Sequence, residues 1–159
     1  MDLKNITSDT DLIYMHAAME EARLAADRDE VPIGAVLVDI KTGKIVARHG
    51  NRTIEKSDPT AHAEILCIRE TCQKTGAQRI PDYDLYVTLE PCTLCAAAIA
   101  FARLRRLVYA APDPKGGGVA HGAKFFDQST CHHKIEIIGG VLADEGGKIL
   151  KDYFQGKRS

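Results

Sequence analysis

Two short strings carry the residue types that metal-assisted hydrolysis needs, His62-Ala63-Glu64 and Pro91-Cys92-Thr93-Leu94-Cys95. Two cysteines three apart in a helix's first turn share a face, and the free N–H groups and positive dipole end there favour thiolate over thiol. Such a pair is a metal pincer. His62 adds a borderline nitrogen ligand, and the resulting Cys2His set is the composition expected of a zinc ion with its fourth tetrahedral position left to water. Three protein ligands point to a catalytic rather than a structural ion. Two thiolates already neutralise the ion's formal charge, so this zinc acidifies its water less than an all-histidine site would, and a protein base becomes necessary. Glu64 is that base, taking a proton from the water and returning it to a leaving group. Residues two apart on a regular helix do not share a face, so His62 and Glu64 can serve one centre only at a helix entrance.

Each string alone has other readings. C-x-x-C is also a redox dithiol, or half of a four-ligand structural zinc whose remaining ligand would be Cys67, Cys72, Cys131, His132 or His133. H-x-E arises often by chance. The conjunction is far more specific: H-x-E, a strand, then P-C-x-x-C at a helix start is the known signature of zinc nucleobase deaminases.

The elements that must position these residues can be read from periodicity. Ser8 to Asp11 looks like an N-cap followed by an acid, and Leu12, Met15, Met19, Ala22 and Ala26 recur at helical spacing up to Pro32. Ile33–Ile40 and Lys44–Arg48 flank Lys41-Thr42-Gly43 as a hairpin. His62–Lys74 reads as a helix closed by Gly76, Asp84–Glu90 as a strand, Cys92–Leu104 as a helix and Arg106–Ala111 as a strand. Lys134–Val141 is a further strand and Leu142–Phe154 a last helix. Helices alternating with apolar strands argue an α/β fold, a mixed sheet covered on both faces. No repeat, low-complexity tract or linker divides residues 1–159, so a single domain is expected.

Composition excludes several classes. Hydrophobic residues at 45% and charged residues at 27% of 159 match a globular chain that buries a core without disulfide staples. The longest apolar run, Cys95–Ala102, is far short of the roughly 20 residues of a membrane span. The opening MDLKNITSDTDL shows no secretory signal, which leaves a cytoplasmic address as the default. Five cysteines in a reducing compartment suggest metal binding or packing rather than disulfides. A net charge of −1 does not announce nucleic acid. Two local basic sets could still meet phosphates, Arg103, Arg105 and Arg106, and Lys148, Lys151, Lys157 and Arg158, although each also reads as a solvated face.

Longer strings carry a resemblance. Glu30-Val31-Pro32-Ile33-Gly34-Ala35-Val36-Leu37-Val38, Asn51-Arg52, Asp58-Pro59-Thr60-Ala61-His62-Ala63-Glu64, Tyr86-Val87-Thr88-Leu89-Glu90-Pro91-Cys92, Asp113-Pro114-Lys115 and Leu142-Ala143-Asp144-Glu145 resemble the bacterial tRNA-specific adenosine deaminases of the cytidine deaminase-like superfamily. The similarity runs from about Leu12 to Arg158. It implies a three-layer α/β/α fold around a central five-stranded mixed sheet, a Zn2+ cofactor without a nucleotide cofactor, and a homodimer. It also implies that Asn51 holds the base, that Asp113 contacts the nucleotide backbone, and that the loop after the fourth strand touches the tRNA anticodon loop. The chain departs from the family in the thin basic end of Tyr153-Phe154-Gln155-Gly156-Lys157-Arg158 and in the Pro- and Gly-rich loop Pro112–Gly118.

The expected activity is hydrolytic deamination of adenosine to inosine at the wobble position of a tRNA. Water activated at the metal attacks C6, Glu64 shuttles protons, and Asn51 with backbone groups beside Ala63 holds an unstacked base. A deaminase of a free base or nucleoside, of guanine or cytosine type, is the alternative of the same chemistry. A non-catalytic zinc-stabilised binding protein is the alternative of another class, and such a protein has no use for Glu64. Cys67 and Cys72 are read as core or semi-buried thiols, Cys131-His132-His133 as a loop or strand edge, and the Ala97, Ala98, Ala100 stripe as tight packing. Phe101, Phe125 and Phe126 read as core residues or as bases' stacking partners, and His49 is left open.

Overall fold

The computed structural model of the chain describes residues 8–158, the side chain of Arg158 excepted. Residues 1–7, read above for a targeting signal, lie outside the described residues.

Helix α1, Asp9–Asp27, starts where the Ser8 hydroxyl accepts the Asp11 N–H at 3.1 Å and the Asp11 carboxylate accepts the Ser8 N–H, a reciprocal capping box. Met15, Ala18, Met19, Ala22 and Ala25 form its fully buried stripe. Burying each methionine contributes about 1.5–3 kcal/mol. Strands β1 (Gly34–Asp39) and β2 (Ile45–Gly50) form the expected hairpin. Alternation in β1 feeds two separate cores, Ala35 and Leu37 on one face and Val36 and Val38 on the other.

Helix α2 spans Ala63–Thr75 and closes on Gly76 at φ 70°, whose N–H bonds the Cys72 carbonyl at 2.9 Å. Strand β3 (Tyr83–Leu89) lies antiparallel to β1, while β4 (Arg106–Ala111) runs parallel to β3 across helix α3 (Thr93–Phe101). Strand β5 (Glu136–Ile138) adds in parallel to β4, giving the order β2-β1-β3-β4-β5. Helices α2 and α3 cover one face, and α1 covers the other with the last helix, α4, Ala143–Arg158. The expected three-layer arrangement around a mixed five-stranded sheet is therefore the one found.

The differences lie at element ends. The strand expected over 134–141 pairs only at Glu136–Ile138, because Gly139 packs on the Tyr109 ring and Gly140, at φ 87°, turns the chain away. Helix α3 stops at Phe101 rather than Leu104, where Arg103 adopts φ 60° and turns into β4. No helix among the described residues is long and apolar enough to cross a membrane.

Candidate active site

Several element ends converge on one edge of the sheet. β2 runs out into Asn51, β1 begins just after Ile33, β3 delivers Leu89 and Glu90, and β4 leads to Asp113. The antiparallel β1 and the parallel β4 flank β3, so the crevice opens where strand direction changes, at the carboxyl end of β3. The Thr88 hydroxyl accepts the Gly34 N–H at 3.1 Å and stitches that edge together.

Two helix entrances face this crevice. His62 is the N-cap of α2, with φ −76° and ψ 151°, and Cys92 is the N-cap of α3, with φ −69° and ψ 173°. An N-cap side chain ordinarily accepts a backbone N–H and thereby stabilises its helix by about 0.5–2 kcal/mol. Neither side chain does so here. Both instead point at Cys95: the His62 Nδ1 lies 3.2 Å from the Cys95 Sγ and 3.6 Å from the Cys92 Sγ. A tetrahedral zinc with ordinary bond lengths holds nitrogen and sulfur about 3.6 Å apart, so the donor set fits that ion. Among the described residues this trio is the one metal-ligating cluster of its kind, and Cys67, Cys72, Cys131, His132 and His133 do not belong to it.

Electrostatics separate the two thiols. A hydrogen bond from the Cys95 thiol, aided by His62, holds Cys92 down at about 4 against the effect of burial. The same bond with Cys92, together with burial, pushes Cys95 up. A cation between them would replace the shared proton and take both as thiolates. The bond to Cys92 likewise raises His62.

Glu64 stands in the first turn of α2, 4% exposed, beside the trio and on the wall of a cavity of about 340 Å³. Burial raises its pKa, which suits a carboxyl group that must carry a proton in transit. The extended backbone of His62 lets both side chains lean over one centre, as the two-residue spacing requires. Val31, Ile33 and Leu89 supply the cavity's apolar wall, and Asn51, His62 and Cys92 its polar one. The Asn51 Oδ1 accepts the Ala63 N–H at 2.9 Å, which fixes the amide and leaves Nδ2 as a donor for the cavity. Ala63 is wholly buried and serves through that N–H. Asp113 also lines the cavity, and its Oδ1 accepts the N–H groups of Lys115 and Gly116, so its carboxylate shapes its own loop.

Two buried acids went unread in the sequence. Glu30 accepts the N–H groups of Ile54 and Glu55 and anchors the loop after Asn51. Glu90 anchors the loop after Asp113, and those donors hold its pKa low despite burial. A signal existed: each acid directly abuts an apolar strand run.

Two arginines of the central cluster do not face this site. Arg105 and Arg106 sit at the start of β4, about 17 Å of strand away from its end, and pair with Asp84 and Asp11. Lys148 pairs with Asp152 and Lys157 with Asp29, and the Arg158 side chain lies outside the described residues. Phe101 is 71% exposed and is not core, whereas Phe125 and Phe126 pack against the α2–α3 core. Of the alanine stripe, Ala100 is buried and Ala97 and Ala98 are half-buried. His49 bonds Glu70 at 2.7 Å, and His133 bonds the Leu104 carbonyl at 2.6 Å.

Residues 9–158 match the model of the MafB19-like deaminase family. A tRNA-specific adenosine deaminase of Agrobacterium fabrum is 57% identical over 145 residues, 91% of this chain and 94% of that one. Another of that name, from Haemophilus influenzae, is 42% identical over 99% of this chain and 91% of its own. A structure solved in a study of A-to-I editing by tRNA:A34 deaminases at the wobble position superposes with a TM-score of 0.84 at 57% identity, covering 87% of this chain and 99% of that one. Guanine deaminase from Nitrosomonas europaea shares the fold at 21% identity, with a TM-score of 0.79 over 93% of this chain and 85% of its own.

Proposed function

The chain belongs to the family of tRNA-specific adenosine deaminases, and from that premise we infer that it converts adenosine to inosine in tRNA by hydrolysis. The finer reading is a zinc-dependent reaction at the wobble adenosine of the anticodon loop, carried out by residues 1–159 as one domain. The observation that supports it most is the meeting of His62, Cys92 and Cys95 at two uncapped helix entrances, with Glu64 buried in the same cavity.

In this reading His62 Nδ1 and the two sulfurs hold the zinc, which when bound supplies Lewis-acid activation of a water. Glu64 takes one proton from a water and delivers it to a purine ring nitrogen as the oxygen bonds C6, then takes the second proton from the new C6 hydroxyl and passes it to the departing amine. The C6–N bond breaks, ammonia leaves, and the water's oxygen remains as the carbonyl of inosine. Asn51 donates from Nδ2 to the base and keeps it in register, while Val31, Ile33 and Leu89 exclude solvent from its faces. Asp113 meets the sugar–phosphate side of the nucleotide. An anticodon loop suits the cavity better than a duplex, because its bases are already unpaired.

A homodimer and a cytoplasmic address complete the proposal. Leu94, Ala97, Ala98 and Phe101 form an outward apolar stripe on α3 at helical spacing, with Phe101 71% exposed, and this supports a second copy as a partner. A tRNA substrate supports the cytoplasmic address.

The test is direct. Zinc-loaded protein is incubated with tRNA carrying a wobble adenosine and, separately, with free guanine, cytosine and their nucleosides. Inosine at the wobble position with no turnover of the small molecules is expected. Rapid turnover of a free base with no inosine in the tRNA would overturn the reading.

A further inference from the structure

We propose that Glu90, clasped by His121, is a positioning residue for the substrate: its carboxylate fixes the Asp113–His121 loop as one wall of the catalytic cavity without touching the reacting atoms. The proposal rests on reading this cavity as the adenosine site and adds to it what sets the site's shape.

Both Glu64 and Glu90 lie on the cavity, and hydrogen bonding divides their roles. The Glu90 side chain is fully buried. Its Oε1 accepts the Asp113 N–H at 3.1 Å and the His121 Nδ1 at 2.7 Å, and its Oε2 accepts the N–H groups of Val119, Ala120 and His121 at 3.2, 3.0 and 3.2 Å. A carboxylate has about four lone-pair sites, so these donors saturate it and leave nothing to offer a substrate proton. Glu64, by contrast, has no such set of loop N–H donors among the described residues and lines the cavity, so it remains the group able to exchange protons.

Saturation turns Glu90 into a hub. The chain from Asp113 to His121 has no regular secondary structure, and an irregular segment keeps its place only if its backbone groups find partners. Here four of those N–H groups, at Asp113, Val119, Ala120 and His121, find one buried carboxylate. The Gly117 N–H closes on the Asp113 carbonyl at 2.8 Å and the Gly118 N–H on the Pro91 carbonyl at 2.8 Å, tying the loop to the residue beside Cys92. Packing is close enough that a Cβ on Gly117 would meet the Glu90 carboxyl carbon at 2.5 Å. Asp113 and Gly116, which form that cavity wall, thus sit at a distance from the metal ligands set by Glu90. His121 closes the ring from outside: its imidazole is 36% exposed, and its Nδ1 carries the proton that an ionised Glu90 accepts. Because hydrogen bonds to an ionised buried acceptor are the strong ones, removing this outer donor should loosen the loop before it unfolds the domain.

The test compares zinc-loaded wild type, His121→Ala, His121→Asn and Glu90→Gln on an anticodon stem-loop RNA with a wobble adenosine. Zinc content and amide hydrogen exchange at Val119, Ala120 and His121 are measured alongside kcat and KM. His121→Ala is expected to raise KM about tenfold with kcat within about threefold, because the wall binds ground and transition states alike. Zinc content should hold and the three amides should exchange faster. His121→Asn, whose amide can still donate from the Nδ1 position, should recover most of the loss. Should Glu90→Gln fail to fold, the two His121 variants carry the test. Unchanged KM in His121→Ala despite faster amide exchange would overturn the proposal, as would a fall in kcat at constant KM, which would make His121 a catalytic contact. If wild type deaminates a free base and no RNA, the functional reading alone fails, and the same KM comparison on that base decides the positioning role.

Discussion

Replacing Arg106 with Met separates the two roles open to the central arginines, contact with phosphate and internal support. The guanidinium bonds both oxygens of Asp11, Nη1 to Oδ1 at 2.8 Å and Nη2 to Oδ2 at 2.9 Å, and the Tyr86 hydroxyl adds a bond to the same carboxylate. The arginine side chain is 13% exposed and the aspartate 3%. Burial by itself raises Asp11, but the Arg106 fork, the Tyr86 hydroxyl and the Ser8 N–H outweigh it and hold the carboxyl down at about 2. Arg106→Met keeps the side-chain bulk and leaves a buried carboxylate without its cation, a change that costs about 3–5 kcal/mol. At about 2–4 °C per kcal/mol for a chain of this size, Tm should fall by roughly 10 °C. The pH dependence follows with a definite sign. In wild type the folded pKa of Asp11 lies below the unfolded value near 3.9, so its stabilisation, about 2–3 kcal/mol, is full above that value and is lost as pH falls toward 2. In the variant, burial without the guanidinium raises Asp11 above its unfolded value, so acidification favours the folded state. The gap between wild type and variant should therefore narrow from pH 7 to pH 5. Urea denaturation at both pH values, with tRNA affinity measured beside it, is the assay. An unchanged midpoint together with weakened tRNA binding would refute the reasoning and put Arg106 on phosphate.

Glu64→Gln should retain zinc and RNA affinity while kcat falls by about 10²-fold to 10⁴-fold, the range for loss of a general acid–base, as measured by single-turnover and binding assays. His62→Ala and Cys95→Ala should each lose metal and activity together, since two remaining ligands cannot close the site; full zinc occupancy by metal analysis in either would contradict the ligand assignment. Asn51→Ala removes the acceptor of a buried N–H as well as the donor to the base. It should lower stability by about 1–3 kcal/mol and kcat/KM by more than that loss of folded protein explains, as read from denaturation and kinetics at a temperature where the variant is folded.

The candidate metal-ligating cluster was legible in the sequence because it rests on residue types at short spacings. His62 and Glu64 lie within three residues, as Cys92 and Cys95 lie within four, and two helix starts suffice to aim them. Apolar strand runs such as those around Leu37 and Tyr86, set between helices, likewise revealed the sheet and its two buried faces. Less legible were partnerships made across long sequence separations. Arg106 reads as a surface cation until Asp11, 95 residues earlier, is seen beside it. Glu90 reads as the polar end of a strand, and only the folded loop shows five donors arriving from residues 23 to 31 positions later. Phe101 reads as a core residue or a stacking partner, yet the fold leaves its side of α3 uncovered and the ring 71% exposed. Element ends were misjudged where glycine or a left-handed residue, such as Gly140 or Arg103, overrode an apolar run.

The most direct test of hydrolytic adenosine deamination in this cavity is to run the reaction in water enriched in oxygen-18. A tRNA with a wobble adenosine is treated with zinc-loaded wild-type protein, digested, and its nucleosides weighed by mass spectrometry while released ammonia is assayed. The expected result is inosine at the wobble position carrying one heavy oxygen, with one ammonia released per inosine, and none of either from Glu64→Gln on the same timescale. Unaltered tRNA, or inosine without the heavy oxygen, would contradict it.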